Sequence, residues 1–286
     1  MPHLPAPLNP AIHPLCLFFS GPCFPYTPWM TPWSPPLHAL VYAALLLTLA
    51  MASLCFGGIP RLRILFLPTP SAPAPTLNLS LAPLLFAATA LGLTAWLFPS
   101  LLPGLAITIG LLLSILDGKK PAEQWGIFRF HPVSDTRFSL HSLLVLFLPI
   151  LFLLLLSSGL FFLLGLPLEP QPAMVRFLQA RDTETLLPFL TYALVIAPIG
   201  EEVFFRGTLF PWLAYRMPAI QAQWISGLAF GAVHMHAPTL IPLTFFGAAL
   251  AGLYRTKNSL LPSILLHSFF NANTCILILL ARPPLP

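Results

Sequence analysis

Charge is what this 286-residue sequence has least of: Asp, Glu, Lys and Arg together make up 7% of it, against 57% hydrophobic residues. A soluble domain carries about 25% charged residues. Water therefore cannot be the main solvent of this chain, whose mean hydropathy is +0.86. The 13 basic residues are scattered rather than clustered, and no Lys/Arg run interleaves with aromatics. Nucleic acid is excluded as a partner on that ground. Metal-type cysteine spacing is also missing, since Cys16, Cys23, Cys55 and Cys275 form no CxxC pair. Two lie in the N-terminal tail and two in apolar segments, so a disulfide framework is not expected. Cys55 and Cys275 read as small apolar residues. The first 37 residues hold 11 prolines and no Lys or Arg. A signal peptide needs a basic start and an unbroken apolar core, so 1–37 reads as a poorly ordered, proline-punctuated tail. An upstream start codon is the alternative. Internal repeats, a heptad seam and a glycine-rich phosphate loop are absent too.

What is present is a series of apolar runs. Crossing a bilayer core of about 30 Å takes roughly 20 residues. Runs at 38–57, 81–98, 140–166 and 259–281 meet that length, and shorter ones at 103–116, 221–236 and 238–254 are bounded by Gly or Pro. A long helical region at 185–217 completes a count of about eight spans. The expected fold is all-α: a polytopic membrane protein, a bundle of about eight helices, with membrane lipid as its surroundings. With that count the basic loops 58–80, 117–138 and 255–258 share one side. The positive-inside rule makes it cytoplasmic, with the N-terminus outside, although Arg176 and Arg181 sit in the opposite loop 167–184. The chain divides into the tail, N-terminal helices at 38–184, a polar-bearing helical part at 185–281 and a C-terminal tail at 282–286.

Between 185 and 281 the charged residues are Glu201, Glu202, Arg206, Arg216, Arg255 and Lys257. The last three flank turns and can reach the interface. The segment GEEVFFRGTLF, 200–210, cannot place all its charges there. A charge at the bilayer centre costs about 2.5–3.5 kcal/mol even on insertion scales, so it persists when paired or functional. Glu202 and Arg206 are one helical turn apart and can pair. Glu201 is rotated by about 100° from Glu202 and has no obvious local partner. His234 ends LAFGAVH with Phe230 one turn before it, and His267 and Asn271 share a face of HSFFN. Glu201 lies 16 residues before the turn Met217–Pro218 and His234 lies 16 after it. In an antiparallel hairpin the two stand at about the same depth.

Each piece has a plain structural reading. Glu202–Arg206 alone is a buried ion pair, His234 and His267 alone are hydrogen-bonded packing residues, and Asn271 alone is helix–helix glue. His236 reads as interfacial, His131 and His141 as solvated near a basic loop, and Asn273 as off the His267 face. The joint, ordered occurrence tips the balance.

That ordered set resembles the CAAX-protease and bacteriocin-processing (CPBP, or Abi) family, which includes the Ras-converting CAAX endopeptidase. EEVFFR matches its EExxxR signature, FGAVH its FxxxH motif and HSFFN its third motif, over roughly residues 185–275. The resemblance implies an intramembrane endopeptidase with eight helices and a cavity open to water and lipid. It implies Glu201 as the base activating water, His234 holding that water, His267 and Asn271 stabilising the oxyanion, and Glu202, Arg206 and Phe230 supporting them. The substrate implied is a membrane-associated peptide or protein, prenylated or bearing a leader, and the setting a bacterial plasma membrane. The family has long carried the label metalloprotease, and Glu201, His234 and His267 are the candidate zinc ligands. HExxH is missing and Asn271 is a poor zinc ligand, so no cofactor is favoured.

Two other functions use the same residues. A non-catalytic bacteriocin-immunity or membrane binding protein would keep the cavity without chemistry. A transporter would relay protons through Glu201 and the histidines, but would place broken helices in both halves, whereas the polar residues here cluster in one.

Overall fold

The computed structural model describes residues 37–67, 76–97, 102–118, 120–126 and 129–282. The reading of the N-terminal tail, with Cys16 and Cys23, and of residues 283–286 lies outside them. Among the described residues there are helices and no β-strand. This is an all-helical, multi-pass integral membrane protein.

Each expected apolar run corresponds to a helix. α1 (Leu37–Ser53) stops where Phe56 and Gly57 leave helical geometry, Gly57 at φ +115°, and α2 (Ile59–Phe66) follows. That positive φ suits a residue without Cβ. α3 (Leu81–Leu97) and α4 (Leu102–Leu116) come next. α5 (Pro132–Leu163) starts well before the run expected at 140–166. Pro132 is pre-organised for a first turn, and Asp135 accepts the His131 N–H at 2.8 Å, so the end of the expected basic loop is helical. A short α6 (Pro172–Gln179) precedes α7 (Thr183–Arg216), then α8 (Ala219–Val233), α9 (Leu240–Lys257) and α10 (Leu260–Leu280). By length and composition five stretches among the described residues can cross a membrane: Leu37–Phe66, Pro132–Leu163, Thr183–Arg216, Ala237–Lys257 and Leu260–Leu280.

Asp182 caps α7, its side chain accepting the Thr185 N–H at 2.7 Å. α8 and α9 pack through small residues. A Cβ on Gly227 would stand 2.6 Å from the Ala248 nitrogen and from the Thr244 oxygen, and one on Gly247 would stand 2.9 Å from the Gly227 Cα. Close backbone approach of this kind is how helices associate where lipid removes the hydrophobic drive.

Polar ties gather one end of the bundle. Lys257 pairs with Asp135 at 2.7 Å, Arg255 donates to the Leu67 carbonyl at 2.7 Å, and Asn78 donates to Asp117 at 2.9 Å. Arg216 donates to the Leu79 carbonyl there as well. The opposite end holds contacts such as His236 to the Glu169 carbonyl at 2.8 Å, which keeps His236 at a loop edge. Cys275 is buried and Cys55 exposed, both as free thiols.

Candidate active site

α7 carries the EExxxR segment, and it is not a uniform α-helix. Two π turns, Tyr192–Ile196 and Phe205–Leu209, bracket Glu201 and Glu202. Each is followed by a proline that cannot donate, Pro198 and Pro211. Single-turn π bulges concentrate at functional sites. Here the physical consequence is specific. The Ala197 N–H reaches back to Tyr192 and Pro198 has no N–H, so the helix supplies no donor to the Ala193 carbonyl. Asn271 on α10 fills that role, its Nδ2 donating to the Ala193 oxygen at 2.8 Å. In the same way Gln124 Nε2 donates to the Gly207 carbonyl at 3.0 Å, one turn before Pro211.

Glu202 and Arg206 pair as the spacing indicated, at 2.8 Å with both side chains fully buried. The guanidinium is further held by the Gly247 carbonyl at 2.9 Å and lies over the Phe230 ring at 4.5 Å. The pair is not isolated. The oxygen of Glu202 that accepts from Arg206 also accepts from His267 Nδ1 at 2.9 Å. A carboxylate only accepts, so Nδ1 carries the proton and the other ring nitrogen is turned away from Glu202. His267 Nε2 stands 3.9 Å from Glu201 Oε2. Glu201 keeps 30% of its side chain exposed, while Oε2 is buried without a hydrogen-bond partner among the described residues.

The structure adds a neighbour that the spacing did not indicate. His267 stands within 4 Å of Glu201, and no ion pair joins Glu201 to His234 among the described residues. His234 sits at the end of α8, its Nδ1 bonded to the Phe230 carbonyl at 2.8 Å. The Phe230 ring lies 4.9 Å from the His234 ring and 5.5 Å from that of His267, so it is in contact with both imidazoles. Phe246 adds a second edge-to-face contact to His267 at 5.8 Å. Sequence reading missed Phe246, Gly247 and the Ala193 carbonyl. Only Pro198 carried a signal for the last, because a proline frees the carbonyl a turn before it. Asn273 accepts from the Tyr42 hydroxyl at 3.0 Å, away from this cluster. His141 is half-buried and borders a basic pocket rather than open solvent.

Among the described residues no three His, Cys, Asp or Glu side chains are grouped to hold a metal ion. Glu201 and His267 approach one another, but His234 does not complete a set with them.

Residues 183–273 match a family described as Rce1-like, type II CAAX prenyl endopeptidase Rce1-like. Over that third of its length the chain is similar to the CAAX-protease family. The match supports an intramembrane endopeptidase, a hydrolase, at the level of that family, and the matched stretch contains all seven polar and aromatic site residues from Glu201 to Asn271. No curated protein and no solved structure matches the chain.

Proposed function

We propose that the protein cleaves a peptide bond of a membrane-associated protein by a water that Glu201 activates, without a metal. The observation that carries this reading is Glu201 itself, a partly exposed carboxylate whose Oε2 has no hydrogen-bond partner among the described residues and lies 3.9 Å from His267 Nε2. A single water can bridge that gap with two hydrogen bonds of about 2.8 Å. As the water oxygen attacks the carbonyl carbon, its proton passes to Glu201. Glu201 then returns the proton to the leaving amine.

The developing oxyanion needs fixed donors. Asn271 spends one Nδ2 hydrogen on Ala193 and has a second. His267 is locked by Glu202 and Arg206, and a protonated ring would donate from Nε2. His234, tied at Nδ1, retains Nε2 for the water or the substrate. The substrate class is a membrane-anchored peptide or protein tail, prenylated or bearing a leader, in a bacterial plasma membrane.

The test compares purified wild type with Glu201→Ala on peptide and prenylated-peptide substrates, with and without a chelator. Cleavage by wild type alone, indifferent to chelator, is expected. Loss of activity with chelator overturns the metal-free mechanism. If neither protein cleaves and Glu201→Ala still protects cells against a bacteriocin, the non-catalytic immunity reading replaces this one.

A further inference from the structure

At the end of the bundle that collects the basic residues, a cavity of about 360 Å³ opens between the first turn of α2 and the first turns of α5. Its lining is Arg61, Ser134, Arg137, Phe138 and His141, with no acidic side chain. That volume falls within the range of ligand pockets, about 300–1,000 Å³. The one acid on this stretch of α5, Asp135, is buried and committed elsewhere, to Lys257 at 2.7 Å and to the His131 N–H at 2.8 Å. Its charge does not offset the pocket's.

The two arginines are in different states of readiness. Arg61 is fixed, its guanidinium 3.9 Å above the Phe138 ring and Nη1 donating to the Phe138 carbonyl at 3.4 Å. Arg137 is exposed and has no ion pair or hydrogen bond among the described residues. Guanidinium groups present planar forks that match phosphate oxygens. Beside these polar groups α5 leaves Val133 and Leu140 exposed, at 74% and 44%. A soluble anion has no use for them, whereas an acyl chain does. The cavity also lies beside the first turns of a helix long and apolar enough to cross a membrane, and headgroups meet hydrocarbon near the ends of such helices.

We propose that this pocket binds the phosphate headgroup of an anionic phospholipid, its acyl chains lying along α5. Basic pockets between membrane helices are known to select such headgroups, with about 1 kcal/mol per basic residue near the surface. Each arginine then contributes about fivefold in affinity, and both about thirtyfold. The site is separate from Glu201 and His267 and independent of any reaction there.

The experiment measures lipid retention by native mass spectrometry on the full-length protein, using phosphatidylglycerol, phosphatidylcholine and inorganic phosphate as probes. Wild type is expected to retain phosphatidylglycerol in preference to phosphatidylcholine. Arg61→Gln with Arg137→Gln should weaken that retention about thirtyfold. Because Arg61 also packs on Phe138, Arg137→Gln alone is the control against misfolding, expected to lose about fivefold with an unchanged melting temperature. Equal retention of the two lipids, or equal retention by wild type and the single variant, overturns the proposal. Thermal protection by inorganic phosphate equal to that by phosphatidylglycerol also overturns it, by assigning the pocket to a soluble anion.

Discussion

Glu202 and His267 are joined across two helices by a 2.9 Å hydrogen bond to Nδ1, on the same carboxylate oxygen that holds Arg206 at 2.8 Å. The carboxylate next along the chain is the one left facing the opposite ring nitrogen, at 3.9 Å. Adjacent glutamates therefore differ in kind: one orients an imidazole, the other is free to take a proton.

Replacing Glu201 by Gln removes the base and keeps the shape. Cleavage should fall by about 10²–10⁴ with the melting temperature unchanged, since Glu201 Oε2 has no hydrogen bond to lose. Comparable activity in wild type and Glu201→Gln would rule out this carboxylate as the base.

Glu202→Gln should cost both stability and activity, because it leaves the buried guanidinium without its anion. Breaking such a pair costs about 3–5 kcal/mol. Adding Arg206→Met removes the orphaned cation and should recover most of the stability. Activity should stay low, since His267 remains unanchored. If the double variant recovers activity along with stability, Glu202 is a structural pin and does not position His267.

Asn271→Ala leaves the Ala193 carbonyl without its 2.8 Å donor. An interhelical hydrogen bond in a membrane contributes about 0.6–2 kcal/mol. Loss of an oxyanion donor costs about 10²–10³ in kcat. A drop in kcat with KM little changed supports the catalytic role. A change confined to thermal stability would reduce Asn271 to helix–helix glue.

Gly227→Ala should force α8 and α9 apart, because the new Cβ meets backbone atoms of Ala248 and Thr244 at 2.6 Å. Overpacking of this sort costs about 1–3 kcal/mol, readable as a lower midpoint in detergent unfolding. An unchanged midpoint would contradict the close approach of the two helices.

Asp182 supplies the pH dependence. Its carboxyl is held below the usual carboxylate range, first by the Thr185 hydroxyl and then by the Thr185 N–H. A folded-state pKa below the unfolded one means the cap contributes above the unfolded value and is lost as pH falls through the folded one. Amides at the start of α7 should therefore lose protection, relative to their intrinsic exchange rate at each pH, below about pH 4. Asp182→Asn should remove that acid dependence, and an unaltered pH profile would count against the cap.

The sequence by itself determined the solvent, the helices and the local pair. A near-absence of charge requires lipid, lipid requires each backbone group to be bonded within its own helix, and four-residue spacing puts Glu202 against Arg206. All three are local or compositional properties. Which histidine would face Glu201 is a property of neither kind. A hairpin count speaks to depth alone; facing depends on helix rotation, and rotation is altered by π turns beside Pro198 and Pro211 that an even 100° per residue does not include. The start of α5 slipped past sequence reading for a related reason, since its first turns are polar and their partner, Lys257, is 122 positions away. Only the folded chain brings His267, from a third helix, between the two glutamates. There one carboxylate oxygen can serve a guanidinium and an imidazole at once, because burial leaves it no water to bond instead.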